Sequence, residues 1–213
     1  TKISLEAYVG VVISGFIIKA AVEMLRGSMK EIIGMRADSE LSIRVAEIVA
    51  NDPEAEGVYD LILHSYGPDR YVGSFHTEIS DQMTATEIDS MTRRLTSEIY
   101  DQTDGQIIVA AIGIYARNTQ DNTVIGMRTE ITKIAMRHDG VIQVHGFTAN
   151  IDEKYVAFDM VVEFGFDSEA LMYHIMQDIS EKYPDFLLNI KIDRDTSDLA
   201  SMSCDLDADP NKK

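Results

Sequence analysis

The residues able to do chemistry are few. The 213-residue chain has five histidines, His64, His76, His138, His145 and His174, and one cysteine, Cys204. A single cysteine can neither close an internal disulfide nor build a thiolate zinc site, and it fits a reducing compartment. There is no HExxH pair, no glycine-rich phosphate loop following a strand, and no Ser-His-Asp or Cys-His set that can be placed, so the chain is not expected to be an enzyme. Ligation of a metal by imidazole and carboxylate is what remains. In Tyr155 to Phe164 the apolar row Val156, Phe158, Met160, Val162 takes one strand face and turns Asp159 to the other. Leu188, Ile190 and Ile192 do the same for Asp193. With His145 on the preceding strand, one imidazole and two carboxylates face outward, a donor set suited to zinc, manganese or iron, with water filling the remaining positions. The competing reading is that they are ordinary solvated acids on an open sheet face.

The corresponding places earlier in the chain hold Tyr59, His76 and Tyr115. Tyrosine on a strand is more often a packing residue than a ligand, so this copy lacks the triad. His76 shares its face with Ser74 and Glu78, and Asp89 on the following helix is within reach; these two form a second candidate pair. His64, beside Tyr66, reads as a hydrogen-bonded structural histidine. His138 falls at a helix end, where its charge suits the dipole.

Two copies of one order of elements must position these groups. Ser39 to Ala50 has helical spacing and stops at Asp52-Pro53; Gly57 to Tyr66 and Tyr71 to Ile79 alternate as a hairpin around Gly67-Pro68-Asp69. Thr84 to Glu87 is a capping box opening a helix to about Gln102, and Ile107 to Tyr115 is a third strand. The same order recurs after about 80 residues: a helix over Asp121 to Arg137, strands over Val141 to Thr148 and Tyr155 to Phe164, a helix over Ser168 to Lys182, and a strand over Phe186 to Asp193. The expected class is α+β, an N-terminal helix followed by two tandem ferredoxin-like αββαβ units. The expected divisions are 1–36 for the helix and linker, 37–118 and 119–198 for the two units, and 199–213 for an acidic disordered tail.

Ala7 to Ile18 is a run of 12 residues without charge, and counting from Ile3 to Leu25 gives a membrane-spanning length that includes Glu6, Lys19 and Glu23. A buried amphipathic helix is the alternative. Lys19, Arg26, Lys30 and Arg36 follow the apolar core, which for a spanning helix places residues 37–213 in the cytoplasm of a cell-membrane protein. The chain starts at Thr1 with no charged n-region, so it reads as part of a longer protein rather than one opening on a signal peptide. With 36 acidic against 19 basic side chains the formal charge is −17, which repels a phosphate backbone and makes nucleic acid an unexpected partner.

Glu6-Ala7-Tyr8-Val9-Gly10 leading to Ile32-Ile33-Gly34, then Gly57-Val58-Tyr59-Asp60-Leu61, Leu63-His64-Ser65-Tyr66-Gly67-Pro68 and Ser74-Phe75-His76-Thr77-Glu78, resemble the cation diffusion facilitator family of divalent-metal transporters. The resemblance runs from about Leu5 to Asp198. It implies that the first segment is the family's last transmembrane helix and that the rest is its cytoplasmic domain, here duplicated, as Val144-His145-Gly146-Phe147, Val156-Ala157-Phe158-Asp159 and Ile192-Asp193 indicate. The implied function is proton-coupled export of zinc or a related divalent cation by a homodimer. The family's transport site uses Asp and His on two earlier membrane helices, so this portion would serve dimerisation and cytosolic metal sensing. The family's cytoplasmic ligands fall on Tyr59, His76, Asp89, Gly113 and Tyr115 in the first unit, where most of the usual histidines and acids are missing. In the second they fall on His145, Asp159 and Asp193. The alternative is a membrane-tethered regulatory or dimerisation module that binds no metal.

Overall fold

A computed structural model describes residues 5–33, 39–67 and 69–194. An apolar helix α1 (Leu5–Ile33) is followed by α2 (Ser39–Ala50), β1 (Glu56–Ser65), β2 (Tyr71–Ser80), α3 (Ala85–Gln102) and β3 (Ile107–Arg117), then α4 (Asn122–Ala135), β4 (Val141–Asn150), β5 (Tyr155–Val162), α5 (Ser168–Lys182) and β6 (Leu187–Arg194). The N-terminal helix is one compact unit and everything from α2 onward is another. Pro68, Cys204 and the acidic segment 199–213 lie outside the described residues.

Within α1, Tyr8–Arg26 is long and apolar enough to cross a membrane. Lys19 Nζ lies 3.8 Å from a Glu23 carboxylate one turn on, so these two charges partly offset each other.

From α2 to β6 the fold is α+β, with two three-stranded sheets ordered β1-β2-β3 and β4-β5-β6. In each sheet the first pair is antiparallel, as a hairpin requires, and the second is parallel, joined through a helix. Each sheet has its own apolar core. Val45, Val49, Leu61, Phe75, Leu95 and Ile99 anchor the first, and Ile131, Phe147, Phe158, Met160, Ile175 and Ile179 the second. The helices therefore cover one face of each sheet and leave the other face to carry polar residues.

The caps explain the helix boundaries. Thr84 and Glu87 form a reciprocal capping box at the start of α3, and Asp121 and Asp167 cap α4 and α5 through side-chain oxygens that accept backbone N–H groups. Asp121 thus precedes α4, which stops at Ala135, two residues short of the expected Arg137. β5 likewise ends at Val162 and not at Phe164, because the chain turns through Gly165 at φ +102° and leaves Phe164 exposed.

Both sheets carry a bulge at the same place. Tyr59 pairs with His76 and Ile62 with Ser74, so three steps on β1 match two on β2. In the second sheet His145 pairs with Asp159 and Thr148 with Ala157, with the same mismatch. The residue after each paired one takes the left-handed conformation, Asp60 at φ +53° and Gly146 at φ +63°. The slip keeps Val58, Leu61 and Leu63 on one core and Val144, Phe147 and Ala149 on the other. Two consecutive positions on each bulged strand are thereby freed from the core face: Tyr59 with Asp60, and His145 with Gly146.

Ion pairs tie the elements together. Arg94 on α3 donates two hydrogen bonds to Asp52, at 2.7 and 3.1 Å, and a third to Glu54 at 2.7 Å. Between the two halves, Arg128 on α4 donates to the nearly buried Glu78 on β2 at 2.6 Å, and Thr119 donates to Asp81 at 2.8 Å. Burial works against the ionised Asp52 carboxyl, but Arg94 and the backbone N–H groups of Glu54 and Ala55 outweigh it and hold the carboxyl below its ordinary range. Asp52→Asn should lower unfolding stability by about 1–3 kcal/mol, because Arg94 loses its charged acceptor at a side chain that is 1% exposed. A lowered folded-state pKa stabilises above the unfolded value and is lost as pH falls through the folded one. The gap between wild type and Asp52→Asn in urea denaturation should therefore be constant near neutral pH and close below about pH 4.

Candidate metal centre

The polar faces of the two sheets meet through the residues that the bulges release. Asp60 from the first sheet and His145, Asp159 and Asp193 from the second each present one ligating atom, and these four atoms lie within 4.8 Å of one another. His145 is fully buried, whereas the three carboxylates retain 18–23% of their exposure. Its Nε2 stands 3.2 Å from Asp60 Oδ1. The approach is off hydrogen-bond geometry, so Nε2 is engaged only by the Asp60 carboxylate, and Nδ1 has no hydrogen-bond partner among the described residues. A buried imidazole left in this way is costly unless something else engages it. Its ring is held in place by stacking on Tyr59, 4.9 Å between centroids and 19° between planes.

Tyr115 is the hub of the seam. Its hydroxyl lies 2.8 Å from Asp60 Oδ2 and 3.0 Å from Asp159 Oδ2. One O–H proton serves one of these carboxylates at a time, so the other oxygen faces a lone pair and the cluster keeps its need for positive charge. Burial, then the Asp60 and Asp159 carboxylates, push the Tyr115 phenol far above its ordinary value, so it stays a donor. The Asp60 carboxyl goes the other way. Burial would raise it, but the His145 imidazole, the Tyr115 hydroxyl and the nearby His76 hold it down at about 2. Asp60 is ionised, and available to a cation, at any physiological pH.

Glycine makes this approach geometrically feasible. A Cβ at Gly146 would stand 3.0 Å from the Tyr115 ring, and φ there is unfavourable to other residues. A Cβ at Gly113 would stand 2.1 Å from the His76 ring, which lies across that strand and stacks on Tyr115 at 4.7 Å. A groove of about 530 Å³ runs past Asp60, His76, Gly113, Lys191 and Asp193 to solvent. It gives a hydrated ion a path to the cluster.

Of the residues expected from sequence, His145, Asp159 and Asp193 lie together here. His76 flanks the cluster, with Nδ1 3.2 Å from the second oxygen of Asp60. Asp89 is not brought to it. Its carboxylate accepts a hydrogen bond from Arg93 Nε at 2.9 Å on the exposed side of α3, and it belongs to no ligand group among the described residues. Asp60 was not anticipated, because simple alternation along β1 puts it on the face of Val58. Two signals were present in the sequence: the three-residue gap between Val58 and Leu61 in the apolar row, and the alignment of Asp60 with Gly146, both types that tolerate positive φ.

One imidazole and three carboxylates form an N1O3 donor set, which suits zinc, manganese or iron(II) and lacks the soft sulfur that copper(I) favours. Tetrahedral ligands about 2.0–2.1 Å from a zinc ion are about 3.4 Å apart, so side-chain movements of about 1 Å would close the four atoms on one ion. Tyr115→Phe should destabilise the protein in chelator by about 1–2 kcal/mol in urea denaturation, since two carboxylates lose their shared donor. Adding a divalent cation should shrink that difference. An undiminished difference would place Tyr115 outside the influence of any bound ion.

No protein-family model matches the chain, and no curated protein matches it.

Proposed function

We propose that the segment from α2 to β6 is a divalent-cation-binding regulatory module made of two tandem ferredoxin-like units, and that it serves cytosolic metal sensing and dimerisation beneath a proton-coupled cation efflux transporter of the cation diffusion facilitator type. In this reading α1 is the last membrane helix of a cell-membrane protein and residues 37–213 are cytoplasmic. The observation that carries the proposal is the junction of His145, Asp159 and Asp193 with Asp60 around a buried imidazole whose Nδ1 has no hydrogen-bond partner and whose Nε2 meets only the Asp60 carboxylate. The apolar length of Tyr8–Arg26 and the recurrence of one helix–strand–strand–helix–strand order support the wider assignment.

The sensing step follows from where the ligands come from. Asp60 belongs to the first sheet and the other three to the second, so a cation held by all four ties the halves across their polar faces. Binding of Zn²⁺ or a related ion then stiffens the seam and converts metal concentration into the shape of the module. A homodimer would transmit that change to its membrane part. A second reading has one observation in its favour. His145 Nε2 lies 3.2 Å from Asp60 Oδ1 across the seam, so the seam could be a metal-free ion-paired contact within a membrane-tethered dimerisation module.

Thermal unfolding of the full chain in detergent micelles separates the two. Saturating Zn²⁺ or Mn²⁺ should raise the melting temperature, with about 2.7 kcal/mol of stabilisation at a hundred times Kd. His145→Ala and Asp159→Asn should abolish the shift, while Asp89→Asn should keep it. No shift in wild type, or one that survives His145→Ala, would sink the metal reading and favour the ion-paired seam.

A further inference from the structure

Lys191 is the one ammonium group among the described residues paired with this cluster, and it sits on β6 two positions before the ligand Asp193. Its Nζ lies 3.0 Å from Asp193 Oδ2 and 3.8 Å from Asp159 Oδ2, touching two of the four ligand groups. The side chain is 62% exposed and enters from the solvent groove, so its four-carbon stem can swing out without unpacking any core. The repeat shows what the position does elsewhere. Asp159 pairs with Lys191 as His76 pairs with Gly113, so the first sheet puts a glycine where the second puts a cation. In the first sheet that space is filled by the His76 ring; in the second the position carries the Lys191 side chain.

We infer that Lys191 is a tethered cation that occupies the metal centre until a divalent ion displaces it, and that it thereby sets the affinity of the site and its preference for divalent over monovalent ions. The inference rests on the proposed metal centre. A tethered ammonium competes at a high effective concentration, one that dissolved potassium or sodium does not readily match at equal charge. A doubly charged ion is attracted twice as strongly by each carboxylate at the same distance, and it alone can also engage the His145 nitrogen productively. Lys191 leaves when such an ion arrives and returns when it departs, so the three carboxylates are partly neutralised in both states. It is a specificity residue that acts by exclusion and does not itself hold the metal.

Isothermal titration of the full chain in micelles with Mn²⁺, and separately with Zn²⁺, tests this. Lys191→Gln should bind either ion at least tenfold more tightly than wild type, consistent with removing one adjacent charge. Lys191→Arg, which keeps the charge, should remain within about threefold of wild type. Added KCl should compete with Mn²⁺ more effectively in Lys191→Gln than in wild type at matched ionic strength set with a bulky organic cation. In chelator, Lys191→Gln should melt lower than wild type and gain more on metal addition. If wild type binds Mn²⁺ or Zn²⁺ but Lys191→Gln binds with equal or weaker affinity, Lys191 is a structural ion pair and the inference fails while the metal centre stands. If wild type binds neither ion, both fall together.

Discussion

Three carboxylates and an imidazole whose ligating atoms lie within 4.8 Å of one another are an electrostatic problem that any account of this protein has to solve. At that spacing, two like charges repel by roughly 3 kcal/mol per pair for an effective dielectric constant of about 20. The repulsion would drive the two sheets apart if nothing opposed it. What opposes it within the chain is one phenolic proton from Tyr115, one ammonium from Lys191, and the His145 and His76 rings beside Asp60. Those groups leave His145 Nδ1 without a hydrogen-bond partner, and that residual demand is what marks the seam as a candidate cation site as well as a packing contact.

The seam exists because the same element order occurs twice with different residues at the equivalent places. Both sheets use a one-residue bulge on their first strand to free two neighbouring positions from the core face, and the two copies spend those positions differently. The first supplies Tyr59 for stacking and Asp60 for charge; the second supplies His145 for ligation and Gly146 for clearance. Tyr115 stands at the place equivalent to Asp193, which turns one carboxylate position into a hydrogen-bond donor for the others. Neither half alone could build the centre. The inter-half ties at Glu78–Arg128 and Asp81–Thr119 fix the junction from which the two faces meet.

Much of this was legible from periodicity. The α2 and α5 boundaries coincide with the expected ones, the capping box at Thr84 opens α3 as its sequence indicates, and the apolar rows of β5 and β6 turn Asp159 and Asp193 to the open face. The contribution of Asp60 was hidden by the bulge, since a strand read by strict alternation assigns that residue to the core side. Asp89 misled because proximity along the chain says nothing of helix facing; its nearest charge is Arg93, one turn on. Lys191 carries no signal in the sequence beyond being a lysine on the open face. Only the pairing of β5 with β6 puts its amine at the ligand carboxylates.

The central claim is that one divalent ion binds between the two sheets at these four side chains. Anomalous diffraction from crystals of the protein grown with Mn²⁺ or Zn²⁺, recorded either side of the metal absorption edge, tests it most directly. The account predicts a single strong peak in bonding contact with His145 Nε2 and with carboxylate oxygens of Asp60, Asp159 and Asp193, and Lys191 turned out into the groove. A map with no peak at the seam under saturating metal, with Lys191 still bound to Asp193, would contradict it.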